Sequence, residues 1–156
     1  MCAHGFARFA AHATFEQACA HGLSLDAQAL ADWTAYQDDP VSLLDQPVSA
    51  LVVPVAYSYD AMAAFPNGYF TCDLGPDQNY AVARHFCREH GYELVGIGAA
   101  YLGLLRPAPP DAAQAAAIAG DFCALYNARG RAREALAAAV IEGIAGRTHL
   151  WLRYIE

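Results

Sequence analysis

Between Gly75 and Arg106 the chain is punctuated so closely that a helix followed by a two-stranded hairpin is strongly specified. Gly75-Pro76-Asp77 puts proline where a first helical residue needs no amide donor, and an aspartate against the positive end of the helix dipole. Gly91 supplies a left-handed stop. Within those limits Tyr80, Ala83, Cys87 and His90, flanked by Val82 and Phe86, make one face, while Asp77, Gln78, Arg84, Arg88 and Glu89 decorate the other. Residues 92–97 and 100–105 read as strands with Gly98 between them, a join too tight for a parallel pair.

The flanking chain supplies further elements. Residues 6–21 and 25–36 read as a pair of N-terminal helices, with Gly22 ending the first and Ser24 capping the second. Asp38-Asp39-Pro40 breaks the pattern, because proline disfavours helical conformation in the residue before it. The β-branched run at 48–55 predicts a buried strand that Pro54 confines to an end or an edge. Ser58 opens a short helix, and residues 69–72 have strand character. After Pro107-Ala108-Pro109-Pro110, Asp111 opens an alanine-rich helix to about Tyr126; a second helix covers 132–142, and residues 148–155 form a last strand. Stripped of additions, the order strand, helix, strand, strand, helix, strand predicts an α+β domain with a ferredoxin-like split β-α-β core and a mixed or antiparallel sheet. All 156 residues form one domain, with 1–40 as a helical extension and 48–156 as the core.

Charge excludes some functions. The net charge of −7 is carried by the first half, where residues 1–80 hold nine acids against the single Arg8. Nucleic acid is therefore not an expected partner, since backbone binding needs clustered positive charge. No apolar run approaches the roughly 18 residues of a membrane span, and the start of the chain lacks a leader pattern, which predicts a cytoplasmic protein beginning at Met1. Five cysteines without a Cys-x-x-Cys pair read as reduced thiols.

No catalytic signature emerges. In His85-x-Cys87-x-x-His90, His85 and Cys87 project from different faces, and Cys87 with His90 lacks a third ligand, so neither metal nor cofactor is expected. His4, His12 and His21 read as solvated. Gly96-Ile97-Gly98 precedes a strand where a phosphate loop would precede a helix, and so reads as a turn. Arg129, Arg131 and Arg133 crowd the start of a helix, against the dipole rule, and are candidates for a partner contact together with Asp38, Asp39 and Asp45. Strand alternation places Glu93 on one sheet face, and His149 and Arg153 together on another or the same one. If these meet on an open side, with Tyr57, Tyr59 and Tyr154 as walls, they would form a small-ligand pocket.

The stretch Val82-Ala83-Arg84-His85-Phe86-Cys87-Arg88-Glu89-His90-Gly91-Tyr92-Glu93-Leu94-Val95-Gly96-Ile97-Gly98 resembles the bacterial family catalogued as domain of unknown function 4253. The likeness extends over residues 48–156 through Arg106-Pro107-Ala108-Pro109-Pro110, the helix ending in Asp121-Phe122-Cys123, and the aromatic last strand. It departs at Ala99-Ala100, where the family tends to Asp-Thr, and at the terminus, where the family is richer in tryptophan. The resemblance implies no activity. The expectation is a non-catalytic binding or protein-interaction module of accessory or immunity type. The alternatives are a small enzyme or ligand-binding domain with its pocket against an open sheet face, and a homodimer through that face.

Overall fold

The computed structural model describes residues 13–43, 50, 52–64, 74–98 and 101–153. Five α-helices among them are α1 (Phe15–His21), α2 (Ala27–Asp38), α3 (Pro76–His90), α4 (Ala112–Leu125) and α5 (Gly130–Ile144); the strands are β1 (Glu93–Ile97), β2 (Tyr101–Leu105) and β3 (His149–Arg153). Short 3-10 turns cover Pro40–Leu43 and Ser58–Ala64.

The helix termini follow local chemistry. α3 starts with Pro76 as its first residue; Gln78 Oε1 reaches back 2.8 Å to accept from the Gly75 amide, and Gly91 closes the helix at φ 69°. Thr14 and Gln17 form a reciprocal capping box on α1, and Asp111 and Gln114 form one on α4. The expected cap Ser24 is displaced by Asp26, whose carboxylate accepts from the Ala29 amide at 2.7 Å. A charged acceptor satisfies the same orphan amide and complements the dipole as well.

The hairpin forms as expected and joins an antiparallel sheet of order β1-β2-β3. Leu94, Leu104 and Leu150 occupy one cross-strand row, followed by Leu102 and Leu152; these side chains are buried and enter a common core with Phe86, Ile118, Phe122 and Val140. An extra residue, Val95, bulges out of β1 between Leu94 and Gly96.

Two expectations do not survive. In a split β-α-β core the first strand lies between the hairpin and the last strand, whereas β2 pairs directly with β3 from Tyr101↔Arg153 to Leu105↔His149. No strand appears at residue 50 or at 52–55, and Val52 is 94% exposed; residues 48, 49, 51 and 69–72 lie outside the described ones. The N-terminal helices, described from Phe15 onward, also have separate docking partners: α1 lies on α3 and α4, and α2 on α5 and β3.

The contact between α2 and β3 closes a sheet edge. The buried amide of Gln37 accepts from the Trp151 amide at 3.1 Å and donates to the His149 carbonyl at 2.9 Å, replacing the pairing of a fourth strand. Trp33 Nε1 donates to the Trp151 carbonyl at 2.7 Å, and His149 Nε2 lies 2.8 Å from the Gln37 carbonyl. Two ion pairs, Arg147–Asp38 at 2.7 Å and Arg153–Asp32 at 3.2 Å, join the acidic first half to the basic second half.

Candidate metal centre

Three pieces of chain border a half-open cavity of about 470 Å³. One wall is the stripe of α4 bearing Gln114, Ala117, Ile118 and Asp121, which helical periodicity places on a single face. The second is the C-terminal end of α3 with His85, Glu89 and His90, and the third is Arg106, just beyond β2.

His85 Nε2 lies 2.6 Å and His90 Nε2 2.8 Å from the same oxygen, Oδ2 of Asp121. The His90 side chain is 7% exposed, that of His85 22% and that of Asp121 35%. Burial would raise the Asp121 carboxyl, but hydrogen bonds from His85 and His90 outweigh it and hold its pKa below the ordinary value. The His85 ring is fixed from its other side by Phe15 of α1, stacked at 3.7 Å between centroids and 2° from parallel. His90 packs against Phe86 at 5.4 Å.

One donor atom from each of His85, His90 and Asp121 lies within 4.8 Å of the others. Two imidazole nitrogens and one carboxylate oxygen suit a first-row divalent transition metal better than calcium or magnesium, which favour oxygen. Bonds of about 2.05 Å in tetrahedral geometry set ligand atoms about 3.3 Å apart. Admitting an ion therefore needs the two histidine–aspartate distances to widen from 2.6 and 2.8 Å and the two imidazole nitrogens, within 4.8 Å of each other, to settle at the same spacing. The site also lies at the carbonyl end of α3, where the helix dipole favours positive charge.

Helical spacing separates His85 from the pair Cys87–His90 and gives no sign of this arrangement. Cys87 turns toward Glu93, with Sγ 3.9 Å from Oε1, and desolvation pushes its thiol pKa up. His85 and His90 are five residues apart, about 140° around a helix, a spacing that signals no shared face. Their imidazoles converge because Asp121 stands off α3 on a neighbouring helix. Only the packing of α3 beside α4 supplies that relation, and no local pattern encodes it.

Those residues singled out from sequence that are described lie elsewhere, each held in contacts of its own. Glu93 accepts from Ser58 Oγ, which itself accepts from the Leu94 amide at 2.8 Å. His149 is engaged by Gln37, and Arg153 donates to the Ala29 carbonyl at 3.0 Å as well as to Asp32. Tyr57 stacks on Tyr59 at 5.2 Å between centroids, and Tyr59 is buried against Tyr80. Asp38 pairs with Arg147, while the Asp39 carbonyl accepts from Ser42. Arg129, Arg131 and Arg133 are exposed at the start of α5 and form no ion pair among the described residues. Asp45 and Tyr154 lie outside the described residues.

Among the described residues no helix is long and apolar enough to cross a membrane. Comparison with protein-family models, curated proteins and solved structures gives no match to this chain.

Proposed function

We propose that the protein is a small-ligand-binding module built around a divalent transition metal held by His85, His90 and Asp121. The observation that carries this reading is the convergence of both Nε2 atoms on one carboxylate oxygen at the wall of a 470 Å³ cavity. Three protein ligands beside open space are the arrangement of metal sites that bind or activate a further molecule; closed structural sites use four. In the metal-free protein the aspartate holds both rings through N–H···O bonds. A bound metal would take the place of each hydrogen bond at Nε2, a neutral imidazole keeping its proton at Nδ1 and a protonated one releasing its Nε2 proton to solvent. The pattern resemblance over residues 48–156 is compatible with this reading and adds no activity to it.

Calorimetric titration of the chelator-treated protein with Zn²⁺ tests the reading. One equivalent is expected. Losing a neighbour of a metal ligand weakens affinity about 10- to 100-fold, so His90→Ala, which removes a ligand itself, is expected to cost at least the upper figure. Absence of stoichiometric binding, or equal affinity in His90→Ala, would refute it.

A second reading, an interaction module, rests on Arg129, Arg131 and Arg133, exposed and without an ion pair among the described residues. Its acidic counterpart is partly engaged within the fold, since Asp38 and Asp32 pair with Arg147 and Arg153. Sedimentation of the wild type and of a variant with all three arginines changed to glutamate, each with the native cell extract, tests it. A complex lost in the variant supports a partner contact; indistinguishable profiles exclude one through these residues.

A further inference from the structure

Arg106 is the cavity group that a metal alone leaves unexplained. Its backbone is fixed where the amide donates to the Thr148 carbonyl at 2.8 Å, and its guanidinium lies 5.5 Å from the centroid of the Tyr92 ring. Nη2 donates to Gln114 Oε1 at 3.2 Å, an oxygen that also accepts from the Asp111 amide at 3.1 Å. Nε and Nη1 are shielded from solvent on a guanidinium that also hydrogen-bonds the buried Tyr92 phenol, and no carboxylate among the described residues pairs with this arginine. A half-buried guanidinium served only by neutral groups, the Gln114 amide and the Tyr92 phenol, has lost hydration without gaining a counter-ion.

Charge in the cavity points the same way. Asp121 and Glu89 are the acidic groups in the lining, and Arg106 is its fixed cation. With a divalent metal bound and both imidazoles neutral, the lining carries one excess positive charge. A metal and a guanidinium lining one cavity repel each other unless an anion lies between them.

Resting on the metal reading above, we infer that the cavity takes a small oxyanion, a carboxylate or phosphate group, with one oxygen on the metal and another on the Arg106 guanidinium. Arginine suits this role because its planar array of donors matches two oxygens of one group. The cavity is large enough for a compact metabolite carrying such a group, and Gln114 holds the guanidinium at its wall. Glu89, exposed at the rim, disfavours ligands with anionic charge at the outward end and so favours one whose charge is concentrated at the metal.

The test titrates inorganic phosphate and malonate, separately, into zinc-loaded and zinc-free wild-type protein and into zinc-loaded Arg106→Gln, with zinc affinity measured first for both chains. The expected result is zinc binding of similar strength in the two proteins. At least one anion should bind the zinc-loaded wild type about tenfold tighter than the zinc-free protein, with that gain lost in Arg106→Gln. Preference between the two anions identifies the ligand as phosphate or carboxylate. If zinc binds but neither anion does, or if Arg106→Gln binds anion as well as the wild type, the oxyanion inference fails and the metal reading stands. If zinc does not bind the wild type, both fail together. Thermal unfolding of Arg106→Gln checks its fold, and should it be unfolded, Arg106→Lys, which keeps the charge and loses the planar donors, is expected to bind anion with intermediate affinity.

Discussion

Phe15 and His85 stack at 3.7 Å between centroids, so a helix that contributes no residue to the proposed metal centre sets the plane of an imidazole that does. The same phenylalanine meets Phe86 edge-on at 6.1 Å, which ties the ring to the core. Phe15→Ala should free the imidazole to rotate away from Asp121. Zinc affinity, measured against a chromophoric chelator, is expected to fall about tenfold, in the range found when the supporting partner of a metal-bound histidine is removed. Phe15→Trp, which keeps a stacking surface, should retain most of that affinity.

The closure of β3 by Gln37 gives a stability prediction. Gln37→Met keeps the bulk of the buried side chain but leaves the part-buried Trp151 amide and His149 carbonyl without that partner. The cost should be about 2–4 kcal/mol, read as a lower urea midpoint with an unchanged slope. A change under about 0.5 kcal/mol would mean that water replaces the amide at the edge.

Two glycines separate steric from backbone effects. A Cβ on Gly103 would fall 2.5 Å from Trp151 Cζ3, so Gly103→Ala must push the indole off the sheet. A loss of about 1–3 kcal/mol is expected, together with a shift in tryptophan fluorescence. At Gly91 the space is open but φ is 69°, so Gly91→Ala should cost about 1–2 kcal/mol through backbone strain alone and leave the fluorescence unchanged.

These positions also mark what local sequence can encode. The helix and hairpin from Gly75 to Arg106 were legible because proline, glycine and alternation act over a few residues. Asp111 and Gly22 were legible as helix ends for the same reason. The strand expected at 48–55 is not realised at its described residues, 50 and 52–55, because apolar β-branched composition states a preference and not a pairing partner. Instead, α2 occupies the outer edge of β3, through a glutamine that no strand pattern would single out. The metal centre was illegible for a stronger reason: its third member lies thirty-one residues beyond His90, and its geometry exists only where two helices pack.

Tyr80 gives the alkaline behaviour. Burial, and a hydrogen bond from its phenol to Asp60 Oδ1 at 2.9 Å, push its pKa up to about 12. The unfolded chain releases this proton near the ordinary value of about 10, while the folded protein still holds it. The stability tied to this group is therefore complete below pH 10 and declines as pH rises toward 12. Tyr80→Phe should show a shallower decline in urea midpoint between pH 10 and 11.5. An identical decline in both proteins would assign the effect to other groups.

X-ray absorption at the zinc edge of the one-to-one complex tests the central claim most directly. The account predicts only nitrogen and oxygen neighbours at about 2.0–2.1 Å, with the multiple-scattering signature of two imidazoles. His85→Ala should reduce that signature to one imidazole. Sulfur neighbours at about 2.3 Å, which would move the ion to Cys19 or Cys87, or zinc that is lost on desalting, would contradict it.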